Sequence, residues 1–167
     1  LLAEDGLPEP TPELLGALLA GPGHAWHAGL LLGHAGHPVA WNTICHGRSM
    51  LSRDVDPAIG STSWKVSARM LLVRTEVLER LGGFEDRFDT ASGAALDAGL
   101  RWIQHGALVR HAPELLGGSA PDPSGPPTWA DGIRTVRARL GSRWAAWAIA
   151  RGLRSRSLAR AELAACV

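Results

Sequence analysis

Apolar residues along this chain fall into short, separated groups, and their spacing predicts alternating strands and helices. Leu14, Leu15, Leu18 and Leu19 repeat at helical intervals behind Thr11, a good N-cap, and Pro12, suited to a first helical turn; Gly21-Pro22-Gly23 stops the run. Pro8, Pro10 and Pro12 make the approach to that helix an extended turn. Residues 28–32 and 38–44 read as two strands joined by the turn Gly33-His34-Ala35-Gly36-His37, and residues 46–61 read as irregular. Residues 66–73 are apolar apart from Ser67 and Arg69 and predict a buried strand. A helix then starts at Thr75, turns Val77, Leu78 and Leu81 inward, and closes at Gly82 as a left-handed cap. Phe84 and Phe88 anchor the following loop. Residues 94–104 form a further helix, with Leu96, Leu100 and Ile103 on one face; Gly106 ends it, and 107–109 return as a short strand toward Pro113.

Residues 117–128 are dominated by Gly, Pro and Ser and predict a linker. Beyond them Ile133, Val136, Leu140, Trp144 and Trp147 recur at helical spacing with arginines on the other faces. Residues 131–163 therefore read as one basic amphipathic helix. Helices between strands predict an α/β layered domain over 1–116, followed by the linker and the helical tail over 129–167.

Composition narrows the class. At 167 residues and 46% hydrophobic, the chain is long enough for an ordinary core. It lacks an apolar run of spanning length. Cys45 and Cys166 form no C-x-x-C pattern and fit a reducing cytoplasm. Sixteen arginines against one lysine, Lys65, is the skew of a GC-rich bacterial coding sequence. Charge is unevenly spread: residues 1–130 carry 9 basic and 14 acidic side chains, whereas 131–167 carry 8 arginines against Asp131 and Glu162. An Arg-rich helix bearing tryptophans suits an anionic membrane surface, and packing on the domain is the plainer alternative; no nucleic-acid module accompanies it. The expected location is cytoplasmic, peripheral at the inner membrane face.

Several side chains carry candidate chemistry. His24, His27, His34, His37 and His46 invite a zinc reading, but tetrahedral zinc needs converging ligands and these lie in a Gly/Ala-rich stretch. Solvent-facing turn histidines are the expectation. Asp54-Val55-Asp56 lies before Pro57 and reads as an acidic turn. Trp41 and Trp102 read as core, while Trp64, beside Lys65 in a polar loop, offers a flat face for a sugar ring. Leu1-Leu2-Ala3-Glu4-Asp5 reads as the end of a buried strand entering an acidic loop, as if a segment preceded it.

The stretch Arg69-Met70-Leu71-Leu72-Val73-Arg74, the helix after it and Gly82-Gly83-Phe84-Glu85-Asp86-Arg87-Phe88 resemble the family 2 glycosyltransferases of GT-A fold. In that family an apolar strand ends in Arg, a helix follows, and Gly-Gly-Phe-Asp-Glu-x-Phe closes it. An acidic helix start, a Gly and a Pro come next; here Ala94-Ala95-Leu96-Asp97-Ala98-Gly99-Leu100-Arg101, Gly106 and Pro113 match. The Leu1–Asp5 segment, followed by Pro8, is similar to the family's metal-binding strand end. The resemblance covers about residues 1–116.

It implies a partial GT-A fold, its donor-binding half preceding Leu1. It also implies transfer of a sugar from a nucleotide-diphosphate donor to a hydroxyl acceptor. Glu4 and Asp5 would hold a divalent cation, magnesium or manganese. Gly83, Phe84, Trp64 and Arg101 would bind substrate. Asp97, the one carboxylate of its helix, would act as base, since Ala94-Ala95 stand where the family carries Glu-Asp. The alternatives are a non-catalytic relative that kept the scaffold, and, last, a metal-binding protein built on the histidines.

Overall fold

A computed structural model describes residues 1–29, 61–62, 64–119, 127–156 and 158–166. The chain is a mixed α/β protein. Among the described residues five strands, β1 (Leu2–Ala3), β2 (Ala25–Ala28), β3 (Ser61–Thr62), β4 (Met70–Val73) and β5 (Val109–His111), form one sheet in the order β1-β4-β2-β5-β3. β2 is antiparallel to β4 and parallel to β5, while β1 and β3 are two-residue edges pairing antiparallel with β4 and β5. The helices among the described residues are α1 (Pro12–Ala20), α2 (Thr75–Leu81), α3 (Ala91–Gln104), α4 (Trp129–Leu140), α5 (Ser142–Arg154) and the single turn α6 (Leu163–Cys166). Short 3-10 turns cover Pro113–Leu116 and Arg160–Glu162.

Two compact units divide the chain: residues 1–31, 55–85 and 95–124 make the first, and 32–54, 86–94 and 125–167 the second. In the first, strand alternation sorts side chains onto the two faces of the sheet. Ala25, Leu71 and Val109 face one way and meet Val77 of α2 and Ala95, Ala98 and Trp102 of α3. Trp26, Ala28, Met70 and Leu72 face the other way, against Leu115 and Leu116, with Leu14, Leu15 and Leu18 of α1 along their border. The Thr11 hydroxyl caps α1 by accepting from the Leu14 amide, as the Thr-Pro start predicts.

Several boundaries move. Of the expected strand 66–73 only Met70–Val73 pairs; before it, the Ser67 amide donates to His27 Nδ1 and the Arg69 amide to Ser67 Oγ, so side chains replace the ladder. α3 begins at Ala91 rather than 94, because Thr90 Oγ1 accepts the Gly93 amide and caps it. Gly82 ends α2 at φ 75° and ψ 159°, positive in φ but not left-handed helical. β1 is an exposed edge rather than a buried strand end, Leu1 and Leu2 being about half exposed. The first expected hairpin strand, 28–32, meets the structure only at Ala28, which ends β2 (Ala25–Ala28), and Gly29; hairpin residues 30–44 with Trp41, and Cys45, the Asp54-Val55-Asp56 turn and linker residues 120–126 lie outside the described residues.

The single helix expected over 131–163 is two helices. Gly141, at φ 93° and ψ 168°, stops α4 and starts α5, a conformation L side chains rarely adopt. In the second unit α4 buries Trp129, Ile133 and Val136, while α5 turns Ala145, Ala148 and Gly152 inward; a Cβ on Gly152 would come within 2.9 Å of the Trp129 ring. The tail is thus part of a packed unit that includes residues 86–94.

Candidate functional site

The Gly82-Gly83-Phe84-Glu85 loop follows α2 and is held from α3. Arg101 projects from the last turn of α3, where its Nη1 donates to Glu85 Oε1 at 2.6 Å and its Nη2 to the carbonyls of Gly82, at 3.2 Å, and of Gly83. The indole N–H of Trp102, one residue on, donates to the Gly82 carbonyl at 2.9 Å. A planar guanidinium with several donors suits such a fork, which one ammonium could not span. Phe84 packs at the edge of the α3-side core. Of the four expected substrate-binding residues, Gly83, Phe84 and Arg101 therefore come together, through contacts with one another. Trp64 is half-buried, with Lys65 Nζ 5.8 Å from its ring centroid.

Asp97 does not stand open to a cleft. It is 1% exposed, flanked on the helix by buried Leu96 and Ala98, and engaged in a polar contact of its own. Ala94 and Ala95 are buried too. A general base must come within hydrogen-bond reach of the proton it takes. A carboxylate so enclosed is not presented to an acceptor arriving from solvent.

Glu4 and Asp5 follow β1 as expected of a strand-end acidic pair. The Glu4 amide donates to the Arg69 carbonyl at 2.8 Å, and Glu4 Oε2 lies 3.8 Å from Arg69 Nε. Magnesium takes six oxygens, of which one or two carboxylates, substrate phosphates and waters are the usual sources. Among the described residues no three His, Cys, Asp or Glu side chains gather, and Glu4 already faces a cation.

The histidines depart furthest from expectation. His27 is not a turn residue but the third residue of β2, 3% exposed, and it stands in register with His111 of β5, their ring centroids 5.3 Å apart. Its Nδ1 accepts from the Ser67 amide at 3.2 Å, so Nε2 carries the proton, and Nε2 has no hydrogen-bond partner among the described residues. Burial, and secondarily the charge of His111, lowers its pKa from 6.5 to about 3. His24 is half-buried, its Nδ1 accepting the Leu108 amide at 2.9 Å. The signal that could have placed His27 is the alternation of Trp26 and Ala28 with Ala25 and His27, masked by the small neighbours. His34, His37 and His46 lie outside the described residues.

One feature of the second unit has no counterpart in the sequence pattern. Asp131, 0% exposed, accepts from the Asp89 amide at 2.8 Å and the Thr90 hydroxyl at 2.7 Å, and its Oδ1 lies 3.1 Å from Arg134 Nη1, which also meets Asp89 Oδ2 at 2.8 Å. Trp144 and Trp147, which the sequence places on one stripe with Leu140 facing either an anionic membrane surface or the domain, are exposed by 48% and 41%. They make an edge-to-face pair with centroids 5.9 Å apart, and the Arg151 guanidinium lies 5.3 Å from the Trp147 ring. Periodicity alone could not tell which side of α5 is seated.

A mixed sheet with helices on both faces and a clamped glycine loop defines a general α/β class. No family model, curated protein or solved structure matches this chain.

Proposed function

We propose that this chain is the acceptor-side part of a sugar-transferring protein that uses a nucleotide-diphosphate sugar as donor and a hydroxyl group as acceptor. One observation carries the reading. β4, α2, the Gly82–Glu85 loop, α3 and β5 succeed one another in the order of the resemblance, and Arg101 with Trp102 fixes the loop. Positioning an acceptor requires a rigid wall, and a loop held through its carbonyls and Glu85 supplies one. Phe84 and Gly83 shape that wall, Arg101 braces it, and Trp64 offers an apolar face. The transfer breaks the anomeric bond to the diphosphate, forms a bond to the acceptor oxygen and sends the hydroxyl proton to a base.

Burial of Asp97 and the Ala94-Ala95 pair favour a second reading, a non-catalytic module that kept the scaffold. The experiment measures nucleoside-diphosphate release from a panel of UDP-, GDP- and dTDP-sugars with magnesium or manganese, using the protein as the cell makes it. Release that falls about 100-fold in Asp97→Asn at unchanged melting temperature assigns the base to Asp97. Full release in that variant assigns the base elsewhere. Absence of release across the panel overturns the transferase in favour of the module.

A further inference from the structure

We propose that the outward stripe of α5, centred on Trp144 and Trp147, docks this protein onto the surface of an anionic lipid bilayer. The two rings lie side by side on the solvent face of the helix, exposed by 48% and 41%, although Ala145, Ala148 and Gly152 seat the opposite side. Two adjacent half-exposed tryptophans form an apolar patch of the kind that marks an interaction site. With Leu140, Gly141, Ser142 and Arg143 they line an open groove of about 750 Å³ at the α4–α5 corner.

Charge complementarity selects the occupant. From 137 to 160 the chain carries Arg137, Arg139, Arg143, Arg151, Arg154, Arg156 and Arg160 with no acidic residue, and Glu162 is the next carboxylate. Asp131 does not offset them, because it is buried against Arg134. Arg143 and Arg154 are exposed on the same helix as the rings. An amphipathic helix with tryptophan on its apolar stripe and arginine beside it lies in the plane of a headgroup layer, the indoles entering the acyl boundary and the guanidiniums meeting lipid phosphates. No helix among the described residues is long and apolar enough to cross a membrane, so the contact is made from one side. The edge-to-face arrangement of the rings leaves no parallel pair of faces for nucleic-acid bases to stack between, and lipid is the better fit. This surface lies wholly within the second unit and does not depend on sugar transfer.

Co-sedimentation of the full chain with vesicles tests the proposal, comparing pure phosphatidylcholine with phosphatidylcholine containing about 30 mol% phosphatidylglycerol, a strongly anionic surface. Partitioning should be roughly ten-fold greater on the anionic vesicles and should fall as salt rises. Trp144→Ser/Trp147→Ser should lose roughly ten-fold of it at an unchanged melting temperature, since both side chains are exposed. Arg143→Glu/Arg154→Glu, a second variant that leaves the aromatic pair in place, should lose the salt-dependent part. Equal partitioning on both vesicles, or parent-like binding by either variant, overturns the proposal. So does a lipid-free dimer that the tryptophan variant dissolves, which assigns the stripe to a second copy of the chain. Displacement from the vesicles by single-stranded oligonucleotides assigns it to nucleic acid and overturns it as well.

Discussion

The Thr90 hydroxyl donates to Asp131 Oδ2 at 2.7 Å while the same oxygen accepts the Gly93 amide at 2.9 Å. The cap of α3 is therefore oriented by a carboxylate on α4, forty-one residues away in sequence. Removing that carboxylate strands the Thr90 hydroxyl, the Asp89 amide and part of the Arg134 charge. Asp131→Ala should cost about 3 kcal/mol in urea unfolding, the usual scale for breaking a buried charged network, and Asp131→Asn less. A loss below about 0.5 kcal/mol would show the network to be idle.

Truncation tests the same connection on a larger scale. By its sequence pattern the amphipathic tail is a separate appendage, whose deletion would leave the melting temperature of the preceding domain untouched. Because Asp131 holds the Asp89 amide and the Thr90 hydroxyl ahead of α3, deletion of 129–167 should instead lower it clearly, as scanning calorimetry would record.

Stability should depend on pH through His27. Its folded pKa lies at about 3 against 6.5 for the free side chain, so between those values the unfolded chain binds a proton that the folded chain does not. The stabilisation is fully present above pH 6.5 and is lost as pH falls toward 3. Below about pH 6 the contribution of this one residue should decline by about 1.4 kcal/mol per pH unit. Urea midpoints from about pH 7.5 down to about pH 5 should follow that slope, and His27→Phe should flatten it. A parent protein with level midpoints over this range would contradict the assignment.

Gly99 reverses an ordinary rule. Gly→Ala inside a helix usually gains about 1 kcal/mol. Here a Cβ would lie 2.2 Å from the Trp64 carbonyl oxygen and 2.6 Å from a Val66 methyl. Backbone cannot swing aside as a side chain can, so Gly99→Ala should destabilise by about 2 kcal/mol or more in equilibrium unfolding. A stabilised variant would disprove the close approach.

The loop clamp separates into two parts. Trp102→Phe keeps the ring's burial but removes the donor to Gly82, at a cost of about 1 kcal/mol. Arg101→Ala releases the Gly83 carbonyl and Glu85 while Trp102 still holds Gly82, and should raise amide exchange at Gly83 and Phe84 well above that of α3, as hydrogen-exchange mass spectrometry would detect.

How much was legible depended on the kind of signal. The strand at Met70–Val73, α2 and the helix through Asp97 are visible in local pattern because apolar spacing and end signals agree there. Buried polar chemistry is not. Asp131 meets Thr90 through tertiary folding, which leaves no periodic trace, and His27 lies among Gly and Ala that resemble a turn. Arg101 is marked by the resemblance as a substrate contact, yet its bond to Glu85, sixteen residues away, belongs to the third dimension. Periodicity puts Trp144 and Trp147 on one stripe with Leu140 but leaves open whether that stripe is seated or faces outward. The face that is seated, Ala145, Ala148 and Gly152, is too small to register as hydrophobic.

Gly141 uncouples the rotational phase of α5 from that of α4. Since α5 restarts after a residue at φ 93°, its angular setting comes from its own seat of Ala145, Ala148 and Gly152 rather than from the helix before it. Insertions at that joint can be taken up as slack, where in a continuous helix each added residue would swing the rest through about 100°. The outward aromatic ridge can thus vary in size and polarity while the seat and α4 keep their geometry, so this protein's surface chemistry can diverge faster than its fold.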